Sequence, residues 1–479
     1  MVRHNRTKVV ATIGPASADE STLADLIRVG VDVFRINCAH ASHASIGTIV
    51  QRVRRTAKKL NQAIGILADL QGPKMRVGKL HKAEPIYLKR GASVIIDVTP
   101  DVIGHVRDDG VVYIGTGYEK LAQDVSAGER ILLDDGNLEL RVDRVDGVQI
   151  HTRVVYGGVL IQSKGINLPG TKVSASCLSK KDLADLKCVL EHEVDFVALS
   201  FVREASDVEE LRRHVQKRKG DVQLIAKIER PEAVKNLPSI LDAADAVMVA
   251  RGDMGVEMGP EAVPQVQKRI IRLANQARKP VITATQMLES MIVNPRPTRA
   301  EASDVANAIY DGTSAVMLSG ETASGKYPVR TVRTMEKIIR SAEKEAYDHM
   351  ADRRRPVKIP MPASVATVRA AASAAYNVGA RLIACYTETG STALSLAGER
   401  APTIVVGLTP SQRTVQKLAL VWGVIPHKIR PGRTSHELTL HGDRILRAEG
   451  MIKEGDLMVQ VAGTVRQAGL TNTMTIRVM

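Results

Sequence analysis

The chain has 479 residues, of which 44% are hydrophobic and 25% are charged, and its formal net charge is +15. This length corresponds to about three domains, and the composition excludes an intrinsically disordered protein. Aromatic residues make up only 3% of the chain, which leaves few surfaces on which single-stranded nucleic acid could stack.

The cysteines and the apolar segments indicate the compartment. The four cysteines are scattered, without the paired spacing of a disulfide framework or a metal site, and this is typical of a reducing compartment. No run of about 18 apolar residues occurs, as a membrane span would need, and the first residues lack the apolar core of a secretory signal. We therefore expect a cytoplasmic protein without a membrane partner.

Eight short runs rich in Val, Ile and Ala are predicted to be strands. They lie at residues 9–14, 31–37, 63–70, 194–201, 224–229, 246–252, 280–285 and 314–320. Near-continuous apolar runs of this length are typical of parallel strands that are buried on both faces. Helical patterns separate most of them. The fold class is therefore predicted as α/β, with a (β/α)8 TIM barrel formed by residues 1–72 and 165–344.

The gap between the third and fourth predicted strands is too long for a connecting loop. It contains Asp-Gly pairs at 109–110, 135–136 and 146–147, flanked by alternating apolar and polar residues, and this combination is a strong signal of β hairpins. Residues 73–164 are therefore predicted to form an inserted β domain. A new alternation of strands and helices predicts an open α/β domain over residues 357–479, after a basic linker.

Polar residues interrupt the apolar runs where the barrel strands end. The carboxyl ends of the strands form the active face of such a barrel, so these side chains are expected to converge on one pocket. They are Arg35, Asn37, Asp69, Lys227, Glu229, Gly252, Asp253, Thr285, Ser319 and Glu321.

Lys227 and Glu229 are two residues apart on a strand and therefore point to the same side. Glu229 and Asp253 offer hard oxygen ligands for Mg²⁺, while Lys227 and Arg35 provide cationic groups that stabilise a transferring phosphoryl group. The alternative is an ion pair that only caps the strand. Residues 250–255 are predicted as a sharp turn whose backbone N–H groups face a carboxylate or phosphate, although an ordinary tight turn would have the same pattern.

The sequence resembles the pyruvate kinase family along almost its whole length. The matching segments stand in the family's order, and they are TKVVATIGPAS, VDVFRIN, ADLQGPKMRVG, KGINLPG, AKIERPEAV, MVARGDMGVE, TATQMLESMI, NPRPTRAEASDVANA and DGTSAVMLSGETASGKYP. The resemblance implies a barrel with a β-barrel lid domain and a C-terminal regulatory and assembly domain. It also implies phosphoryl transfer from phosphoenolpyruvate to ADP, giving pyruvate and ATP in the last step of glycolysis, with Mg²⁺ or Mn²⁺ as cofactor.

The resemblance also assigns roles to residues of the barrel. Lys227 would neutralise charge on the phosphoryl group in flight, and Glu229 and Asp253 would hold Mg²⁺. The substrate carboxylate would be received by the backbone at Gly252 and Asp253, together with Thr285. A water-mediated proton route to the enolate is expected along Thr285, Ser319 and Glu321.

Further roles implied by the resemblance concern the phosphates and the nucleotide. Arg35 and Arg76 would contact phosphates, and Asn37, His40 and Lys164 would line the nucleotide side. Arg76 and Lys164 lie at the two junctions of the inserted domain. Closure of this lid would bring them to the phosphates and exclude water.

The sequence departs from the potassium-requiring members at one group of positions. Asn37 and Asp69 match their monovalent-cation site, but Ala39 and Leu70 replace a Ser and a Thr, and Lys74 stands where those members have Glu. Loss of two oxygen ligands weakens a K⁺ site, while an ammonium group supplies the same charge. We therefore predict a bacterial type of enzyme that is active without added K⁺, with Lys74 as the replacement charge. The alternative is that Lys74 is only a surface lysine.

A loop rich in Ser and Thr opens a predicted helix in the last domain. Its candidate ligands for a phosphorylated effector are Thr387, Thr389, Gly390, Ser391 and Thr392. Hydroxyls and backbone N–H groups at such a helix start suit a phosphate, the family often binds an effector at such a loop, and the basic surplus of this domain fits an anion. The alternative is an ordinary Ser/Thr helix cap. The resemblance further implies a homotetramer.

Two other functions compete with this interpretation. A Mg²⁺-dependent lyase on the same barrel would also use a strand-end Glu and Asp, but it would need neither the lid nor Lys164. A nucleic-acid-binding protein would show a continuous basic face, whereas here a neutral inserted segment separates two basic ends of the chain. This distribution favours small phosphorylated ligands, and no nucleic-acid partner is expected.

Overall fold

The computed structural model describes residues 5–171, 173–350, 360–432, 434–463 and 471–479. The basic linker predicted after the barrel, including residues 353–355, lies outside the described residues. Within the described part of the chain, no helix is both long enough and apolar enough to cross a membrane.

The first part of the chain forms three strands and two helices. They are β1 (Lys8–Thr12), α1 (Glu20–Val29), β2 (Val33–Asn37), α2 (His43–Lys59) and β3 (Gly65–Asp69). Both helices begin at a capping side chain: Asp19 accepts a hydrogen bond from the N–H of Thr22, and Ser42 accepts one from the N–H of Ser45. These caps satisfy N–H groups that have no partner inside the helix.

An inserted β region follows β3. Its elements are β4 (Ile86–Leu88), β5 (Ser93–Asp97), β6 (His105–Val106), β7 (Val112–Gly115), α3 (Leu121–Asp124), β8 (Arg130–Leu133), β9 (Leu138–Asp146), β10 (Gln149–Tyr156), β11 (Gly158–Leu160) and β12 (Ile166–Asn167). One sheet has the order β12-β8-β9-β10-β5-β7-β6, and β11 pairs with β4 in a second sheet. The end strands β12 and β6 are two residues long and do not pair with each other in the described residues. Residues 75–78 instead connect the two sides of the larger sheet, because Ile166 of β12 donates its N–H to the carbonyl of Met75 at 3.0 Å and Gly78 donates its N–H to the carbonyl of Gly115 of β7 at 2.7 Å. These hydrogen bonds agree with the β barrel expected for the lid.

The three Asp-Gly pairs all lie in hairpins of this region. They connect β6 to β7, β8 to β9 and β9 to β10, and each of these strand pairs is antiparallel. Gly110, Gly136 and Gly147 have φ angles of 82°, 90° and 56°, which glycine adopts without steric cost. The hairpins predicted from Asp-Gly are confirmed.

A short stem joins the inserted region to the barrel. It consists of residues 75–77 and 163–166, which run antiparallel. The N–H of Val77 donates to the carbonyl of Lys164 at 2.9 Å, and the N–H of Ile166 donates to the carbonyl of Met75 at 3.0 Å. The two chain segments that connect the barrel to the inserted region therefore lie side by side. The strand β12, which pairs with β8, lies just past the boundary predicted at residue 164.

The chain then completes the barrel. The elements are α4 (Lys180–Glu191), β13 (Phe196–Leu199), α5 (Ala205–Lys217), β14 (Gln223–Ile228), α6 (Pro231–Lys235), α7 (Leu237–Ala243), β15 (Ala246–Ala250), α8 (Arg251–Met258), α9 (Val263–Gln276), β16 (Val281–Ala284), α10 (Arg299–Asp311), β17 (Ala315–Leu318), α11 (Gly320–Ala323) and α12 (Pro328–Met350). Eight parallel strands close in the order β1-β17-β16-β15-β14-β13-β3-β2. The eight predicted barrel strands are confirmed. Their residues are buried almost throughout, which explains the near-continuous apolar runs.

The segment at residues 250–255 differs from the prediction. It was expected to be a sharp turn, but α8 begins at Arg251, directly after β15. The glycines of this segment therefore lie inside a helix and not in a loop. They matter because they allow close approach to a neighbour, as described below, and not because they adopt positive φ angles.

The last part of the chain forms an open α/β sheet. Its elements are α13 (Ala363–Asn377), β18 (Leu382–Tyr386), α14 (Ser391–Gly398), β19 (Val405–Thr409), α15 (Gln412–Leu418), β20 (Val424–Lys428), α16 (Ser435–Ala448), β21 (Leu457–Ala462) and β22 (Thr473–Val478). The strand order is β20-β19-β18-β21-β22, with only β22 antiparallel to its neighbour. The open α/β architecture is confirmed.

Candidate active site

Lys227 is the central charged group at the carboxyl end of the barrel. It lies on β14, and its side chain is 12% exposed. Its Nζ lies 2.9 Å from Glu229 Oε1 and 3.5 Å from Asp69 Oδ1, and it donates a hydrogen bond of 2.7 Å to Ser200 Oγ. The structure thus brings the predicted Lys227 and Glu229 together with Asp69, on the same side of the strand ends.

Arg35 binds the other side of Asp69. Its Nε and Nη2 lie 2.8 and 2.7 Å from Asp69 Oδ2, and its Nη1 donates to Thr12 Oγ1 at 3.1 Å. Asp69 is only 2% exposed. It therefore lies between two cations, and it holds Arg35 and Lys227 next to one another despite their like charges.

The direction in which each pKa is shifted shows how these charged groups depend on each other. Burial opposes the charge of Lys227, but the carboxylates of Asp69, Glu229 and Asp253 outweigh it and raise its pKa. Burial likewise opposes the charge of Asp69, but Lys227 and Arg35 outweigh it and lower its pKa. For Glu229, burial outweighs the attraction of Lys227 and raises the pKa. An added cation beside Glu229 would therefore favour its ionised form.

Two residues of this cluster were missed by the sequence analysis. Ser200 accepts a hydrogen bond from Lys227 and donates one of 2.8 Å to the carbonyl of Leu70. Phe201 donates its backbone N–H to Glu229 Oε2 at 2.9 Å, from a backbone with a φ angle of 57°. Ser200 follows β13 directly, so a polar residue near the end of the fourth apolar run, at residues 194–201, was the available signal. Phe201 acts through its backbone and gave no signal.

Glu229 and Asp253 fit a divalent cation by the chemistry of their oxygens. Glu229 is fully buried, and its Oε1 accepts no hydrogen bond from any described residue, since its contact with Lys227 is an ion pair without hydrogen-bond geometry. Asp253 lies in the first turn of α8 and lines a cleft, which is also lined by Lys74, Asn167, Phe201, Arg230 and Glu257. No group of three or more His, Cys, Asp and Glu side chains gathers into a metal cluster among the described residues. Mg²⁺ commonly uses one or two carboxylates and takes its other ligands from water and substrate.

Gly252 brings α8 close to the end of β16. A Cβ atom on Gly252 would lie 2.8 Å from Thr285 Cγ2, so a larger residue would push the two elements apart. Thr285 has a φ angle of 74°, which is a true outlier for a β-branched residue. Arg251, which the sequence analysis did not select, holds this turn: its Nη2 donates to the Thr285 carbonyl at 2.6 Å, and its Nη1 pairs with Asp304 at 2.6 Å.

Glu321 connects two loops beside Thr285. It is fully buried, its Oε1 accepts the N–H of Leu288 at 3.1 Å, and its Oε2 accepts the N–H of Ser319 at 2.7 Å. These bonds fix the end of β17 against the segment that follows β16. Ser319 and Glu321 are therefore neighbours, as the sequence predicted, although the carboxylate of Glu321 is engaged by backbone groups.

Arg76 and Lys164 lie on opposite sides of the stem. Arg76 Nη1 donates to the carbonyl of Ser163 at 2.8 Å, and Lys164 Nζ lies 2.7 Å from Asp134 Oδ1. The side chain of Lys164 is 39% exposed. Both cations therefore lie on the stem of the inserted region, and the ion pair of Lys164 is open to solvent.

The remaining predicted residues follow the carboxyl ends of β2 and β3. Asn37 ends β2, and its Oδ1 accepts the N–H of Ala39 at 3.1 Å. His40 is exposed. Lys74 is also exposed, and it lines the cleft together with Asp253.

The Ser/Thr-rich loop of the last domain lies between β18 and α14. Gly390, with a φ angle of 90°, precedes the first helical residue, and no described side chain caps the helix. Thr387 Oγ1 accepts the N–H of Gly390 at 3.0 Å, and Thr392 Oγ1 contacts Thr471 Oγ1 at 2.6 Å. Thr389 and Ser391 are exposed. The alternative of an ordinary Ser/Thr cap therefore does not describe this loop.

The fold and the site define the protein class as a (β/α)8-barrel enzyme with an inserted β region and a C-terminal α/β domain. The family described as "Pyruvate kinase, barrel domain" matches residues 4–332, and "Pyruvate kinase, alpha/beta domain" matches residues 365–477. Pyruvate kinases of Staphylococcus epidermidis and Staphylococcus aureus are each 42% identical to the chain over 481 aligned positions, which cover 99% of the chain and 80% of either relative.

A solved structure agrees with these matches. A crystal structure of a pyruvate kinase from Cryptosporidium parvum superposes with a TM-score of 0.91 at 33% identity, covering 99% of this chain and 96% of that chain. The chain belongs to the pyruvate kinase family. It is a phosphotransferase that converts phosphoenolpyruvate and ADP into pyruvate and ATP. The reaction of this family depends on a divalent cation.

The contact between Gly252 and Thr285 leads to a prediction. Gly252→Ala places a methyl group 2.8 Å from Thr285 Cγ2, so either α8 or the side chain of Thr285 must move and the site loses its geometry. We expect kcat/KM for phosphoenolpyruvate to fall by up to about a hundredfold. Gly255→Ala is the matched control on the same helix, because its methyl group would meet Val263 at an ordinary 3.6 Å. Equal kinetics for the two variants would contradict the prediction.

Proposed function

We propose that the phosphoryl transfer of this family takes place in this chain around Lys227. The observation that carries the proposal is the buried ammonium group of Lys227, held between Asp69 and Glu229 with Arg35 on the far side of Asp69. This arrangement holds two cationic groups side by side at the strand ends, where they can donate to a phosphoryl group. A structural ion pair that only capped a strand would not need Arg35 beside it.

The reaction makes one bond and breaks one bond at phosphorus. The bond between phosphorus and the enol oxygen of phosphoenolpyruvate breaks, and a new bond forms to a terminal β-phosphate oxygen of ADP. The enolate that is released takes up a proton at its methylene carbon and becomes pyruvate. Lys227 and Arg35 stabilise the negative charge on the transferring oxygens, and Mg²⁺ held by Glu229 and Asp253 would supply further positive charge there.

The segment after β15 would orient the substrate. The backbone N–H groups at Gly252 and Asp253 belong to the first turn of α8, where unpaired N–H groups and the helix dipole favour a carboxylate. Thr285 lies against Gly252 and offers a hydroxyl at the same place. Ser319 and Glu321 would order the water that passes the proton to the enolate, with Glu321 held by two backbone N–H groups.

The lid would complete the site on the nucleotide side. Arg76 and Lys164 lie on the stem, so a change in the stem angle would move both toward the phosphates. Asn37 ends β2, His40 follows it three residues later, and both would line the nucleotide. The lid would thereby exclude water from the phosphoryl group.

Substitution of Lys227 tests the central assignment. Lys227→Met keeps the length of the side chain but removes its charge, so kcat for phosphoryl transfer is expected to fall by about a thousandfold. Enolate protonation of pyruvate, followed as exchange of methyl protons with deuterated water, measures the other half-reaction separately. The control is Lys187→Met, a lysine whose side chain is 70% exposed. Phosphoryl transfer near the normal rate in Lys227→Met would overturn the assignment.

We also propose that the chain is of a bacterial type that does not require K⁺. Ala39 and Leu70 offer no side-chain oxygen where the potassium-requiring members have Ser and Thr. Asp69 is already neutralised by Arg35 and Lys227. Lys74 lies exposed at the cleft, from where its ammonium group could supply the charge that K⁺ provides elsewhere in the family.

Potassium dependence is measured in an assay free of K⁺ and Na⁺. We expect kcat to change little when K⁺ is added, because the ammonium of Lys74 already supplies the charge. Lys74→Glu should lower activity in the absence of K⁺, whereas Lys79→Glu, an exposed lysine on the barrel-distal side of the stem, should not. A many-fold rise of kcat of the unaltered enzyme on adding K⁺ would show that the proposal is wrong.

The loop at Thr387–Thr392 is proposed to bind a phosphorylated effector, and the chain to assemble as a homotetramer in the cytoplasm. The uncapped start of α14 and the exposed hydroxyls of Thr389 and Ser391 support the anion site.

Exposed Ile476 and Val478 on the edge strand β22 support association through this domain. All four cysteines are free and buried, which is compatible with a reducing compartment. Light scattering after gel filtration measures the assembly.

Effector binding is tested by calorimetry with sugar phosphates and nucleotides. We expect one of them to bind and to shift the saturation curve for phosphoenolpyruvate. Ser391→Asp should abolish this binding, because a carboxylate at the helix start repels an anion and occupies the same N–H groups. Ser373→Asp adds the same charge to an exposed position of α13 and should leave binding intact. If no compound binds, or if both variants behave alike, the effector site is excluded.

A further inference from the structure

Glu257 is a buried carboxylate on α8, one helical turn after Asp253. It is 5% exposed, and its Oε1 accepts a hydrogen bond of 3.2 Å from Asn167 Nδ2. Its Oε2 lies 3.8 Å from Arg230 Nη2 and accepts no hydrogen bond from any described residue. Residues four apart lie on the same face of a helix, and Glu257 and Asp253 both line the cleft.

Arg230 supplies the reason for a buried carboxylate at this place. It follows Glu229 directly in the chain and is 3% exposed. Its Nη2 donates to the carbonyl of Thr171 at 3.0 Å, and its Nε donates to Glu232 Oε2 at 3.3 Å. The side chain of Glu232 is 34% exposed, whereas that of Glu257 is 1% exposed. Because solvent screens an exposed charge, Glu257 is the stronger counter-charge of Arg230.

An uncompensated Arg230 would act on the neighbouring carboxylates. A buried guanidinium group interacts over several ångströms with little screening, and Glu229 is the adjacent residue. The positive charge would repel a divalent cation that approached Glu229 and Asp253. Neutralisation of Arg230 by Glu257 removes this repulsion.

Asn167 connects the same carboxylate to the lid. It is the last residue of β12, where it pairs with Leu132 of β8 in the sheet of the inserted region. Its side-chain amide reaches Glu257 on α8. The returning strand of the lid, the residue after Glu229 and the helix that carries Asp253 therefore meet at one carboxylate.

We propose that Glu257 is a positioning residue for the divalent cation, which neutralises Arg230 and fixes α8 against β12 so that Glu229 and Asp253 keep their affinity for metal. Glu257 does not touch the substrate or the cation in this role. The proposal rests on the proposed function of Glu229 and Asp253 as the metal pair, and the experiment separates the two.

The test measures Mn²⁺ binding to the full chain without substrates, by electron paramagnetic resonance of the free ion. Glu257→Gln keeps the size of the side chain and an oxygen for Asn167 but leaves Arg230 unbalanced, so the Kd for Mn²⁺ should rise on the order of tenfold. Arg230→Gln removes the repelling charge and should lower the Kd. The double variant Arg230→Gln with Glu257→Gln should return toward the value of the unaltered protein.

The controls separate charge from structure. Glu232→Gln removes the exposed partner of Arg230 and should change the Kd far less than Glu257→Gln. A Kd that is unchanged in Glu257→Gln, or that rises in both Glu257→Gln and Arg230→Gln, would overturn the proposal, since loss of packing has the same sign in both. Arg230→Gln carries the test alone if Glu257→Gln does not fold. Mn²⁺ binding that survives unchanged in Asp253→Asn would instead refute the metal pair itself.

Discussion

The burial of the Lys227 ammonium group between two carboxylates is the interaction on which the rest of the site depends. A charge without partners in the protein interior costs several kcal/mol, so Lys227 can occupy this position only while Asp69 and Glu229 are both in place. Asp69 in turn needs Arg35 on its other oxygen. These residues come from three strands, and the closed barrel sets their register: Asp69 of β3 is opposite Ala198 of β13, which aligns with Ile225 of β14. The closed barrel therefore places these charges side by side.

Backbone geometry is the second constraint on the site. Phe201 and Thr285 both adopt positive φ angles within two residues of a strand end, and such conformations cost of order 1–3 kcal/mol each. Both are held by the site itself, because Glu229 accepts the N–H of Phe201 and Arg251 binds the carbonyl of Thr285. The backbone of Phe201 and the charged cluster are thus joined through Glu229, whereas Thr285 is held by Arg251 beside the close approach of Gly252.

Much of this architecture could be predicted from the sequence, for reasons visible in particular residues. Strands buried on both faces must be apolar throughout, so the eight barrel strands were evident, and Asp-Gly located three hairpins. Strand β20 does not stand out in the sequence as an apolar run because Pro426 interrupts it, and proline is tolerated there since β20 is an edge strand. Ser200, Arg251 and Glu257 were missed because their roles come from contacts across the barrel. The pattern of apolar and polar residues shows where a strand ends. It does not show which side chain from a distant part of the chain contacts that strand end.

The stem has a consequence for how the fold could have tolerated so large an insertion. Met75 and Ile166 are joined by a backbone hydrogen bond. The chain therefore leaves the barrel and returns to it at adjacent points, as it would for a short hairpin loop. The entropy of holding two chain ends together depends on their separation and only weakly on what lies between them. The barrel can therefore close without reference to the size of the inserted region, and that region can lengthen, shorten or be exchanged without threading the chain through the eight strands again. In this respect the inserted region is attached to the barrel as a loop would be, at two adjacent points of the chain, and the contact of Asn167 with Glu257 adds a tie between them.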